Sequence, residues 1–261
     1  MTSLRIFFIG GAMSFRALFN WLSPWIYIPS LVIGPLFQIL LFAYIGRTTG
    51  LASDEFFVIG NALQYASIPC LFAMTNIVAG ERFQNTLGYI LVSPAGRIPI
   101  FVGRALPVVV NGAFVAGLSL ALGALLLDVH IPAASLAPLA LVVVVTAYSC
   151  TGLGLISAGL GLRIRETAVL ANVLFGILLI FTGANVPIDD LPGWMAAISD
   201  WLPITHGIQA GRRVADGETL GDVRGLVAWE FALGTAFAIG GYALIRVMER
   251  EARRRASIEV S

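Results

Sequence analysis

Residues able to do chemistry are few in this chain, and their spacing excludes more than it offers. All sixteen basic side chains are arginine; lysine does not occur. A Walker A loop sets a lysine on the nucleotide phosphates, so without a Gly-x-x-x-x-Gly-Lys signature the chain is not expected to hydrolyse ATP itself. Cys70 and Cys150 each lie within an apolar run and read as small packing residues. His130 and His206 stand apart in polar connections, and no Cys/His cluster has metal-ligand spacing. There is no paired carboxylate and no Ser/His dyad. Glu230, about one turn inside the last apolar run, is the one ionisable residue that intrudes into such a run. Proton and ion relays place ionisable groups at membrane depth. The pattern therefore argues against an ion-coupled carrier and against an intramembrane enzyme. No catalytic residue, cofactor site or metal ligand is expected.

What remains is one polar segment, Glu81 to Arg104, reading ERFQNTLGYILVSPAGRIPIFVGR. Leu87, Ile90 and Leu91 share one side of a helix, and Phe83 lies a turn earlier. Glu81, Arg82, Gln84 and Asn85 lead into that helix, and Ser93-Pro94-Ala95-Gly96 breaks it. The spacing predicts a short amphipathic helix at a membrane surface. A simple reversal needs only about five residues, so this segment has room for a docking surface as well as a turn.

The elements that must position these residues follow from composition. Hydrophobic residues make up 58% and charged residues 12%, against about 25% charged in a soluble domain. The reading is an all-α membrane protein forming a single transmembrane domain over residues 1–261. Leu4 to Leu22, interrupted by Arg5 and Arg16, predicts an interfacial helix within residues 1–24. Six spans follow: Trp25–Gly46, Phe56–Gly80, Ala105–Leu127, Leu136–Leu162, Ala168–Ala184 and Leu226–Val247, each near the about 20 residues that cross a bilayer. Pro29 and Pro35 are candidates to kink the first. Ala113, Gly117 and Ala121 in the third, and Gly152 to Gly161 in the fourth, read as packing rows for neighbouring helices within the chain. Asn61, Gln64, Asn76 and Asn111 read as interhelical hydrogen-bonding residues.

Residues 185–225 break the pattern between spans five and six. Pro187, Leu191, Pro192 and Trp194 open this insertion, Pro203 divides it, and Ile204 to Val214 predicts a second short helix running to Arg212 and beyond. These pieces are too short to span and too apolar to float free, so they read as re-entrant or interfacial helices packed on protein. Trp194 and Trp201 read as interface anchors. The arginines assign sides. Arg5, 16, 82, 97, 104, 163, 165, 246, 250, 253, 254 and 255 fall on one side, and Arg47, 212, 213 and 224 on the other. By the positive-inside rule both termini and the 80–104 segment are cytoplasmic, and residues 185–225 are external.

Two segments in register resemble the membrane subunit of type-2 ATP-binding-cassette exporters, permeases for drug, lipid and polysaccharide export. Glu81-Arg82-Phe83-Gln84-Asn85-Thr86-Leu87, followed by Leu91-Val92-Ser93-Pro94, is similar to the family's Glu-Arg-Glu-x-Gly-Thr-Leu and Leu-x-x-(Ser/Thr)-Pro. Gly183, Val186-Pro187, Leu191-Pro192-Gly193-Trp194, Leu202-Pro203-Ile204-Thr205-His206 and Ala210-Gly211-Arg212 resemble the run that precedes the family's last span. Phe83 replaces an acid and Asn85 a glycine of the pattern. Asn tolerates the left-handed backbone better than most residues, whereas the missing acid removes any contact carried over for position 83.

The resemblance implies a cell-membrane complex in which two permease subunits bind two separate ATPase chains that carry ATP-Mg. Glu81, Arg82, Thr86, Leu87 and Leu91 would sit in a cleft of the ATPase, with Arg163, Arg165 and Glu166 as a second contact. The external insertion would cap a path along the permease–permease interface. The basic tail would meet anionic lipid. The competing readings are a stand-alone ion-coupled carrier or channel, and a membrane assembly factor without transport activity.

Overall fold

Proline and glycine, more than polarity, set where these helices break and how closely they meet. The computed structural model describes residues 24–83, 97–161, 163–164 and 166–259, and every regular element among them is helical. Helix α1 (Pro24–Thr49) contains Pro29 and Pro35 yet continues as one element. Its Gly34 lies under Tyr65 and its Gly46 under Phe57, so the next helix seats against its backbone. The second apolar run, expected as one span, is two helices. These are α2 (Asp54–Tyr65) and α3 (Ser67–Phe83), meeting at Ala66. Pro69 accounts for the break: it has no N–H to give the Tyr65 carbonyl, and its ring crowds that carbonyl. The Ser67 hydroxyl donates to the Gln64 carbonyl at 2.6 Å, which repairs part of the ladder. At the other end of α2, the Ser53 hydroxyl accepts from Phe56 N, and Asp54 and Glu55 occupy the first turn.

Helix α4 (Arg97–Leu126) follows, then a short 3-10 turn (Ala133–Ser135), α5 (Leu136–Gly161) and α6 (Thr167–Phe181). Beyond α6 come α7 (Gly193–Ser199), α8 (Thr205–Ala215) and the long α9 (Leu220–Glu259). Helix α5 is the centre, with α9 along one side, α3 and α4 along others, and α8 against its outer part. Small residues allow this. A Cβ at Gly154 would stand 2.7 Å from the Cys70 carbonyl oxygen, and one at Gly241 the same distance from the Ile156 nitrogen. Gly152 abuts the Gly234 carbonyl and Gly159 abuts Leu244. The fourth-span row thus packs within the chain. The third-span row departs from expectation: nothing stands within 4 Å of a Cβ built at Gly117.

Buried polar side chains stitch the helices together. Gln38 Nε2 donates to Asn61 Oδ1 at 2.9 Å between α1 and α2. Thr182 Oγ1 donates to Gln64 Oε1 at 2.9 Å. The Thr75 and Ser157 hydroxyls share a bond at 2.6 Å between α3 and α5. Asn61 and Gln64 are therefore bonded within the bundle, as read; Asn76 is exposed.

Contacts also fix which helix ends coincide. Thr75 meets Ser157, and Gly234 meets Ser149 while Gly159 meets Leu244, so α3, α5 and α9 run parallel. Gly112 meets Cys70 and Gly123 meets Val58, so α4 runs opposite to α2 and α3. One end of the bundle therefore gathers the end of α3, the start of α4, the α5–α6 turn and the end of α9. The other end holds the α1–α2 and α4–α5 connections and residues 182–219. Among the described residues, this divides the helix connections as the arginine count did.

Several boundaries move. Arg97 to Arg104, read as part of the polar segment, already belong to α4, and residues 81–83 are the last turn of α3. Helix α9 exceeds the expected Leu226–Val247 at both ends, so the basic tail prolongs a span. Among the described residues, five segments are long and apolar enough to cross a membrane: Val32–Thr49, Asp54–Asn76, Gly103–Leu126, Ala133–Gly161 and Leu220–Met248. The fifth expected span, α6, has 15 residues, about 22 Å of helix against about 30 Å of hydrocarbon. The expected six are thus five helices of spanning length and one shorter apolar helix. The N-terminal interfacial helix, residues 1–23, lies outside the described residues.

Candidate functional site

The polar-segment candidates fall at the arginine-rich end. Glu81 and Arg82 stand in the last turn of α3. Arg163 and Glu166 are exposed in the α5–α6 turn, where Arg163 N bonds the Leu160 carbonyl at 2.9 Å. Thr86, Leu87, Leu91 and Arg165 lie outside the described residues. The bundle therefore brings the flanks of the two expected contacts, 83–97 and 161–167, to one end.

The opposite end carries the more elaborate construction. Pro187 precedes a 3-10 turn that ends at Leu191, and Pro192 precedes α7. Pro at these positions supplies an extended entry and forfeits no helical bond. Trp194 is exposed and meets Phe181 edge-on with ring centroids 6.0 Å apart. The Ser199 hydroxyl donates to the Phe181 carbonyl and ties α7 to the end of α6. Pro203, by contrast, is buried, and the next residue, Ile204, is the N-cap of α8.

Helix α8 is wedged between α2, α5 and α9. Gly207 lies against the Thr146 side chain and Gly211 against Leu63 and Ile59, so neither position accepts a larger residue without displacement. Its N-terminus is held by Glu230 of α9, which is fully buried. One carboxylate oxygen accepts from Ile204 N at 2.6 Å and the other from Gly207 N at 3.1 Å. Both donors belong to the orphan N–H groups of a helix start, and a negative charge there is also stabilised by the positive end of the helix dipole. Ile204 has φ +81°, an outlier for a β-branched residue, at a cost of about 1–3 kcal/mol. Around it Thr205 Oγ1 and His206 Nδ1 are buried without a hydrogen-bond partner among the described residues, while the Ser149 hydroxyl stands against Glu230. Each such unpartnered atom costs about 1–3 kcal/mol. The seated helix thus carries strain and unmet polar groups beside the bonds that hold it.

The C-terminal turn is held by Arg212. Its Nη2 donates to the Phe56 carbonyl at 3.0 Å and to the Ala184 carbonyl at 3.1 Å, and its guanidinium carbon stands 3.4 Å from the Phe56 ring centroid. Gly60 leaves the space: a Cβ there would come within 2.5 Å of both the Ala184 oxygen and Arg212 Nη2. Burial pushes the Arg212 guanidinium down to about 9, so it remains a cation at neutral pH. Carbonyl dipoles and the ring face stand in for a counter-ion. His206 is held below its ordinary 6.5 by burial, which a nearby Asp200 partly offsets; its ring meets Trp229 edge-on at 6.3 Å.

The sequence pointed to Arg212 by its motif but not to its partners, which are backbone atoms. It pointed to Glu230 only as an intruder in an apolar run. Its solitude was the available signal, since a lone acid in such a run must be satisfied by something. Among the described residues no cluster of three or more His, Cys, Asp or Glu can hold a metal.

The model of the family described as "ABC-2 type transporter" matches residues 11–214, which includes the polar segment, the α5–α6 turn and nearly all of α8. The chain belongs to the ABC-2 type transporter family. This ABC-2 chain is also 29% identical over 154 residues to the "Probable multidrug ABC transporter permease YbhR" of Escherichia coli strain K12, and equally to that of Escherichia coli O157:H7. The aligned stretch covers 58% of this chain and 41% of each relative. An ABC-2 type membrane subunit agrees with the all-helical fold and its five helices of spanning length.

Proposed function

We propose that the chain is the membrane-spanning half of an ATP-driven exporter, lining the substrate path and taking its power from separate ABC ATPase chains. The observation that carries this reading is the gathering, at one end of the bundle, of the end of α3 and the start of α4, which flank residues 84–96, with exposed Arg163 and Glu166. That end is arginine-rich, which supports a cytoplasmic position for it and for both termini. A lysine-free chain has no means of cradling phosphates in a Walker loop, so the fuel must be handled by a partner. Two such permeases, alike or related, enclose the path. Residues 185–225 cap it outside. In this scheme Glu81, Arg82, Thr86, Leu87 and Leu91 enter the ATPase cleft, and Arg163, Arg165 and Glu166 make the second contact. Closure of the ATPases then rocks the spans.

Because the relatives are named for multidrug transport, apolar drugs are the first cargo to test, with lipids and glycolipids next. The test is a pair of variants, Glu81→Lys and Leu87→Arg, in membranes that hold the partner ATPase. Export should fall at least about tenfold while the chain still inserts and ATP hydrolysis no longer responds to cargo. Unchanged export with normal ATPase association would contradict the assignment. Purified alone, the chain should show no saturable ATP binding.

A further inference from the structure

We propose that Glu230 is a charge latch: its carboxylate decides whether α8 is seated across the outer end of the bundle or released from it. The proposal rests on the reading of residues 185–225 as an outer cap, and on nothing else in the transport scheme.

Four observations lead to it. The first turn of α8 is tied to α9 through Glu230, whose two oxygens accept from Ile204 N and Gly207 N. The residue at that junction, Ile204, is held at φ +81°, a backbone state that a β-branched side chain leaves when it is free to do so. Two polar atoms in the same turn, Thr205 Oγ1 and His206 Nδ1, are buried without a partner among the described residues. On the face that α8 turns to α5 and α2, Gly207 and Gly211 let Thr146, Leu63 and Ile59 approach the backbone, while Ile208 and Val214 further along are buried in the core, so the first turn is the part of the helix with least side-chain anchorage there. Seating of the first turn is therefore opposed by strain and by unmet polar groups, and its leading N–H groups are held by one carboxylate.

The chemistry of that acceptor makes it conditional. A carboxylate offers lone pairs on both oxygens. A carboxylic acid or a carboxamide offers an acceptor on one oxygen and presents hydrogen on the other atom, where an N–H already points. Gaining one proton therefore costs at least one of the two bonds and brings two donors face to face. The other titratable groups that face this site are His206 on α8 and, across from it, Cys150 on α5, with Asp200 before α8 acting on His206. Arg212 holds the far end of the helix by carbonyls that do not titrate. Of these groups His206 is the one that becomes a cation on protonation, which His206→Gln controls for.

Hydrogen exchange of the full chain in lipid nanodiscs tests this without reference to transport. Wild type, Glu230→Gln and His206→Gln are compared from about pH 8 to about pH 4, with rates corrected for intrinsic pH dependence. At neutral pH, exchange over residues 204–211 should rise at least about tenfold in Glu230→Gln, the loss expected for a charged hydrogen bond, while α3 and α5 stay protected. In wild type and in His206→Gln the same residues should lose protection as the pH falls; in Glu230→Gln protection should be low and flat. Glu230→Gln keeping wild-type protection would overturn the proposal. So would a pH-independent wild type, or loss spread evenly through α3 and α5. Since exchange is read without ATPase or cargo, failure here would leave the exporter reading standing, and failure of the export assay would leave the latch standing.

Discussion

Arg212 and Glu230 fasten opposite ends of one short helix, and they fasten it differently. Neither uses a counter-charge. Glu230 satisfies N–H groups, each of which makes one bond and has no other taker at a helix start. Arg212 satisfies carbonyls, which have two lone pairs each; the Phe56 carbonyl already faces its own helix partner four residues on. The N-terminal fastening is thus the demanding one, and the C-terminal fastening is backed by packing of the guanidinium on Phe56. A buried charge here positions a helix because the backbone, not an opposite ion, is its partner.

Substitutions can break or sharpen that contrast. Glu230→Ala should have the largest effect. It strands two buried N–H groups at about 1–3 kcal/mol each and opens a void besides, so thermal stability in detergent should drop by an amount equivalent to several kcal/mol. Gly60→Ala and Gly207→Val come next. The first presses on the Ala184 carbonyl and Arg212, the second on Thr146, and overpacking of this kind costs about 1–3 kcal/mol. Arg212→Met should cost less than Glu230→Ala in the same assay, because it removes a desolvated charge together with its bonds. Equal costs would erase the distinction between the two ends.

The smallest effect is on pH dependence. His206 has a folded-state value below 6.5, so the folded chain binds fewer protons than the unfolded one in mild acid. That contribution to stability is fully present above 6.5 and is lost as pH falls from there through the folded value. His206→Gln should remove that part of the acid loss. An unchanged acid limb in thermal melts would show that His206 does not contribute.

How far the sequence could lead is clear from particular residues. The apolar runs and the turn chemistry of 185–225 are local patterns, so α1, α4, α5 and the pair α7 and α8 were legible. The split of the second run was not, although Pro69 was in plain view; a run of apolar residues conceals a proline that breaks its ladder. The length of α9 was hidden for the converse reason, since arginines that end an apolar run need not end a helix. The fastening of α8 depends on the Phe56, Ala184, Ile204 and Gly207 backbones, and no side-chain motif reports where a carbonyl or an N–H will be brought by the fold. Gly117, read as internal packing, faces open space because the helix row that would fill it is not supplied by the described residues.

The division of labour between this chain and a separate ATPase is tested most directly at Arg163, which is exposed in the α5–α6 turn. A photoreactive amino acid placed there in the full chain, in native membranes, should cross-link to a Walker-motif ATPase, with a yield that changes when nucleotide is added. Labelling of the same position by an impermeant reagent applied outside intact cells, or no ATPase among the cross-linked products, would contradict it.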